Sequence, residues 1–154
     1  MAACRTLDVL LGAGPDVRAA APMALAVGAH TYGISVLGRA EVTGAAPETA
    51  GRALTATATA ATLASLACLR GGTPGRAAAS ALIAAYLTTS GRAQAALRVD
   101  PAPDRVRQAV RMSILGLIPL QAAAVAGRGR LAEAGALLGA LPLGRWLSAR
   151  MATS

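Results

Sequence analysis

His30 is the one ionisable side chain standing well inside a long uncharged run, and Tyr32, Ser35, Arg39 and Glu41 follow it in sequence. An imidazole in apolar surroundings can exchange protons or touch an acceptor group, while a guanidinium and a carboxylate at the end of such a run are the parts that hold a phosphate and a metal ion. If the helix carrying His30 continues to Glu41, the two are eleven residues apart, and eleven steps of about 100° return to within about 20° of the same face. Leu37 falls between them on that stripe, and Tyr32, Ser35 and Arg39 form a neighbouring one. The spacing therefore predicts a polar strip that descends from mid-helix to a loop carrying Arg39 and Glu41. The competing reading is a neutral His30 satisfied by a helix neighbour, with Arg39 and Glu41 as ordinary charge at a helix end. Thr55, Thr59 and Thr62 share one face of the next apolar segment, where they either border a polar path or bond back to their own helix carbonyls.

The elements that would position these groups are apolar helices closed by arginine. All fifteen basic residues of the chain are arginine, and they stand almost entirely between alanine-rich stretches. From Ala19 to Gly38 there is no charge, a length of about 30 Å as a helix and so about one hydrocarbon core. Further uncharged runs occupy Ala53 to Leu69, Ala77 to Gly91 and Met112 to Gly127, with a weaker one from Leu131 to Leu147. The shorter runs can still cross, because arginine stems lie along apolar surface while the guanidinium reaches the headgroups. The expected fold is all-α: one multi-pass transmembrane bundle of about five spans, near 19–38, 53–69, 77–91, 106–127 and 131–148. A soluble alanine-rich bundle is the alternative. Against it stand 55% hydrophobic residues, 14% charged residues and a mean hydropathy of +0.51, which leave few polar side chains to cover a globule.

Counting arginines on alternate loops gives Arg39, Arg52, Arg92, Arg98, Arg105, Arg107, Arg111, Arg145 and Arg150 on one side, and Arg18, Arg70, Arg76, Arg128 and Arg130 on the other. The first side is then cytoplasmic, the C-terminus included, and Trp146 suits an interfacial anchor. A net charge of +8 would otherwise raise nucleic acid, but the arginines are dispersed, there is no Phe, and only Tyr32, Tyr86 and Trp146 could stack on bases. The bilayer and its anionic lipids are the expected partner instead. Cys4 and Cys68 have no metal or redox spacing. Residues 1–14 lack a signal-peptide layout and look like the end of a helix whose remainder lies outside the sequence. Pro119 and Pro142 should bend their helices, and Gly135 with Gly139 forms a small-xxx-small pair that reads as helix packing. Exclusive arginine with abundant alanine and glycine points to a GC-rich bacterial source and its plasma membrane.

The run Arg5-Thr6-Leu7-Asp8-Val9-Leu10-Leu11-Gly12-Ala13-Gly14, then Ala29-His30-Thr31-Tyr32 and Leu37-Gly38-Arg39-Ala40-Glu41-Val42-Thr43-Gly44, resembles the second half of a UbiA-type intramembrane prenyltransferase of the actinobacterial branch. Val106-Arg107-Gln108-Ala109-Val110-Arg111, the stretch from Leu117 to Ala122, Leu141-Pro142 and Ala149-Arg150 are similar to the same branch, so the likeness spans nearly the whole chain. The resemblance implies a helical bundle around a cavity in which Mg²⁺ and acidic loops hold a polyprenyl diphosphate while an acceptor attacks the ionised prenyl carbon. Clustered carboxylates are needed there, because the diphosphate leaves only when metal and basic groups neutralise its charge. Carried over position by position, Glu41 would meet the metal and Arg39 the diphosphate. His30, Tyr32, Ser35, Asp8 and Arg5 would contact acceptor or diphosphate deeper in the cavity.

The chain departs from the family in two places. Where the usual second motif offers two or more aspartates, the loop from Gly38 to Gly44 offers Glu41 alone, with Glu48 farther on. The first motif, of the Asn-Asp-x-x-Asp kind, would stand before Arg5 and is absent from the sequence. The expectation is thus a prenyltransferase-like membrane protein that is incomplete by itself or works beside a second polypeptide supplying the N-terminal half. Two other classes stay open: a non-catalytic membrane subunit or degenerate remnant, and a small transporter built around His30, Pro119 and Pro142.

Overall fold

The computed structural model describes residues 1–151 and, in the last helix, the side chains of 131–139, 142, 146 and 150. Its regular elements are all helical: α1 (Ala2–Gly12), α2 (Val17–Gly38), α3 (Pro47–Cys68), α4 (Thr73–Tyr86), α5 (Arg92–Ala96), α6 (Pro103–Ala126) and α7 (Leu131–Met151). A π-turn over Leu87–Gly91 joins α4 to α5, so the chain runs helically from Thr73 to Ala96. Each long uncharged run thus lies within one helix. A 3-10 turn, Gly14–Asp16, leads into α2, and the helical segments Gly14–Gly38 and Pro103–Ala126 are long and apolar enough by length and composition to cross a membrane.

Proline and glycine set the helix ends. Pro47 and Pro103 open α3 and α6 at the first helical position, where a missing N–H costs nothing, and the preceding Ala46 and Ala102 are extended as a residue before proline must be. Inside α6, Pro119 is buried and the helix continues through it to Ala126. Gly44 (φ +87°) and Gly129 (φ +80°) reverse the chain with left-handed backbone after α2 and α6.

The core is built mainly of alanine, so helix backbones come close. A Cβ on Gly71 would fall 2.1 Å from the carbonyl oxygen of Gly127, and one on Gly75 would fall 2.6 Å from that of Ala126. These glycines are therefore what lets the start of α4 reach the end of α6. Gly135 and Gly139 behave differently. Neither has an atom within 4 Å of where a Cβ would be, and α7 instead seats Ala134 and Leu138 against the core. The small-residue pair lies about 100° round the helix from that contact and takes no part in packing among the described residues.

Two apolar clusters fill the interior. One joins Met23, Ala60, Ala64, Ile83, Leu120 and Ala126. The other, toward the ends where α2 stops and α3 and α6 begin, joins Leu37, Ala53, Leu97, Val106 and Val110. Along α2, α3 and α6 a polar residue, His30, Thr57 and Ser113 respectively, separates the two. The next layer of the structure is therefore polar and buried.

Candidate functional site

His30 on α2, Thr57 on α3, Tyr86 on α4, Ser90 in the π-turn, Gln94 on α5 and Ser113 on α6 form the polar layer, each almost wholly buried. His30 Nδ1 and the Tyr86 hydroxyl are 3.0 Å apart, with the rings edge to face at 5.3 Å. The Thr57 hydroxyl donates to Gln94 Oε1 at 2.9 Å, and Gln94 Nε2 donates to Ser113 Oγ at 2.9 Å. One set of hydrogen bonds therefore ties α2 to α4, and a second ties α3, α5 and α6, in the same buried layer.

Local structure explains how the layer is made. Tyr86, Ser90 and Gln94 follow at intervals of four, and the π-turn between them adds the extra residue that keeps all three on the inner face. Gly116 on α6 makes room: a Cβ there would lie 2.0 Å from Ser90 Oγ. Two polar atoms in the layer, His30 Nε2 and Ser90 Oγ, have no hydrogen-bond partner among the described residues. Chemically the layer offers an imidazole, a phenol and hydroxyls sealed from bulk solvent, with no carboxylate. It can pass or store a proton over short distances but cannot by itself bind a divalent cation.

The residues singled out in the sequence fall in separate places. Helix α2 stops at Gly38, Ala40 N–H closes a tight turn onto Leu37 O, and Arg39 to Thr43 are turn. Glu41 is thereby off the helix, Leu37 is fully buried, and the strip expected from His30 to Glu41 does not run. His30 enters the core, whereas Tyr32 is 48% exposed on the opposite side. Ser35 donates to the Thr31 carbonyl at 2.8 Å. Thr55 and Thr62 likewise bond back to the carbonyls of Gly51 and Ala58, as β-hydroxyls in helices commonly do.

Arg5 and Asp8 form an exposed ion pair at 3.7 Å on α1. They line a cavity of about 540 Å³ between α1, α2 and α6, together with Thr31, Gln121 and Arg128. The expected partners Arg39 and Glu41 are not among its walls.

Arg39 and Glu41 lie instead where two loops meet. Ala45 N–H donates to Pro101 O at 3.0 Å, and the Arg107 guanidinium donates to the Glu41 carbonyl at 3.1 Å. Arg107 also pairs with Asp104, and Arg105 with Asp100 at 3.0 Å. The Arg105 hydrogen bond, helped by the Ala102 N–H, holds the Asp100 carboxyl below the usual carboxylate range. Arg39 and Arg111 make no ion pair, and no group of three His, Cys, Asp or Glu gathers at a distance suited to a metal, among the described residues.

Compared with protein-family models, curated proteins and solved structures, the chain matches none. Its site must therefore be judged on geometry. Sequence reasoning found His30 but missed Thr57, Tyr86, Ser90, Gln94 and Ser113. The available signal was the four-residue spacing of Tyr86, Ser90 and Gln94, which Thr88, Thr89 and Arg92 between them obscured. Thr57 was hidden by the more regular Thr55, Thr59 and Thr62, which point away from the core.

Proposed function

We propose that this chain is a multi-pass membrane protein of the UbiA-type prenyltransferase kind, with about five spans, whose arginine-rich end receives the diphosphate of a polyprenyl diphosphate. The observation that carries this reading is the joining of the loop after α2 to the loop before α6 through Ala45–Pro101 and Arg107–Glu41. Arg39 follows α2 and Arg107 and Arg111 stand one turn apart near the start of α6, at the same end of the bundle, and among the described residues Arg39 and Arg111 have no ion pair. Unpaired guanidinium groups with bidentate geometry are suited to phosphate oxygens. Membrane insertion is supported by Gly14–Gly38 and Pro103–Ala126, which are long and apolar enough to cross a bilayer.

The described residues do not fit Mg²⁺. Glu41 is the one carboxylate in its loop, and Asp100 and Asp104 are committed to arginines. In this reading the carboxylates that hold the metal come from a second polypeptide, and this chain contributes diphosphate contacts and part of the cavity wall. The same lack of a metal cluster favours one further reading, a non-catalytic membrane subunit. Binding of farnesyl diphosphate to the purified full chain in nanodiscs separates the two. The first reading expects saturable binding that is lost when Arg39→Gln and Arg111→Gln are combined. Absence of binding, or binding indifferent to that double substitution, leaves the non-catalytic reading.

A further inference from the structure

A groove of about 790 Å³ runs between α1, α2 and α3, with Thr6 of α1 packed over Gly28 at its edge. Its lining is graded. Leu25 and Leu63 lie at one end, Ala29 and Thr59 follow, and Tyr32 and Arg52 stand at the other end. The order follows from the antiparallel packing of α2 on α3, which sets Gly33 against Ala53 and Ala56. Tyr32 and Arg52 are both exposed. Neither the phenol nor the guanidinium has a hydrogen-bond or ion-pair partner among the described residues, and Glu48, one turn before Arg52, forms no ion pair with it.

An apolar trough with a free cation and a free hydroxyl at one end fits an anionic amphiphile. From Arg52 to Leu63 the helix rises roughly 16 Å, against roughly 15 Å for the hydrocarbon of one leaflet. The polar end lies toward the ends of α2 and α3 where the bundle's loop arginines gather, so a lipid oriented with its phosphate there and its chain inward matches both depth and charge.

We infer that this groove is a binding site for an anionic phospholipid, one acyl chain lying along Leu25, Ala29, Thr59 and Leu63 and its phosphate meeting Arg52 and the Tyr32 hydroxyl. The site is separate from the loop cluster proposed to meet diphosphate, and it rests only on the membrane part of that reading. A chain seated between three helices touches side chains on more than one side, which gives it more contact than lipid has on a convex surface.

Native mass spectrometry of the detergent-purified full chain, titrated with dioleoyl phosphatidylglycerol or dioleoyl phosphatidylcholine, tests this. The native chain should retain the anionic lipid more tightly. Arg52→Gln should weaken phosphatidylglycerol roughly fivefold and erase the preference, whereas Arg92→Gln should change little. Thr59→Trp, at an exposed groove position without a hydrogen bond, should fill the trough and lower retention of both lipids. Equal binding of the two lipids by the native chain overturns the proposal, as does an Arg52→Gln effect no larger than that of Arg92→Gln. A dimer mass that Thr59→Trp abolishes without loss of lipid also overturns it, because a second copy would then be the occupant. Release of the chain from cell membranes by alkaline carbonate would defeat the membrane reading itself, and that outcome is distinct from a membrane-retained chain with no lipid preference.

Discussion

Replacing Gln94 with methionine keeps the length of the side chain but removes both of its hydrogen bonds. Gln94 accepts from Thr57 and donates to Ser113, each at 2.9 Å, with all three residues buried. The variant leaves the Thr57 hydroxyl without its acceptor and Ser113 Oγ without its donor, in a layer that water does not reach. For helices in a bilayer, as proposed, side-chain hydrogen bonds contribute about 0.6 kcal/mol on average and up to about 1.7 kcal/mol, so two together give about 1–3 kcal/mol. The predicted loss for Gln94→Met is in that range. Adding Thr57→Val and Ser113→Ala should restore most of it, since removing every partner with similar shapes is close to neutral, while stranding one is not. Reversible unfolding in mixed micelles of SDS and a mild detergent, followed by circular dichroism, measures both. If Gln94→Met costs no more than a substitution at exposed Gln121, the layer does not hold the helices together. If the triple variant is less stable than the single one, the explanation through stranded partners fails.

Gly71→Ala and Gly75→Ala each push a Cβ against a backbone carbonyl of another segment, and should cost about 1–3 kcal/mol by the same unfolding assay. Gly51→Ala, in open space on α3, should instead be neutral or gain about 0.5–1 kcal/mol; equal effects at all three positions would refute the close-approach argument. Because Arg105 lowers the folded-state value of the Asp100 carboxyl, this contact stabilises the fold above the ordinary carboxylate value and loses its effect as pH falls through the lowered one. A carbon-13 NMR titration should show a higher Asp100 midpoint in Arg105→Gln, and coincident midpoints would contradict the assignment. In a Cys4→Ser background, which removes the exposed native thiol, Arg98→Cys and Arg128→Cys, on loops at opposite ends of the bundle, should be labelled by an impermeant maleimide from opposite sides of spheroplasts and inverted vesicles; labelling from one side only would end the spanning arrangement of α6.

The sequence alone determined the helices. Arginine-bounded alanine runs with proline at their starts leave the backbone no competing way to satisfy its own hydrogen bonds, so the long elements and their order were legible. It also located the end of the bundle where arginine accumulates, because charge cannot be placed deep in apolar packing. The tertiary structure decided which polar residues meet. A helix break of one turn after Gly38 removes Glu41 from the face of His30, and nothing in a 100° projection registers it. The π-turn at Leu87–Gly91 shifts the inner face by one residue and brings Ser90 and Gln94 into the layer with Tyr86. Pairing across helices, such as His30 with Tyr86 fifty-six residues away, depends on the depth and rotation at which small side chains let the backbones settle. Alanine and glycine permit many such settings, so the sequence could name His30 and could not name its partners.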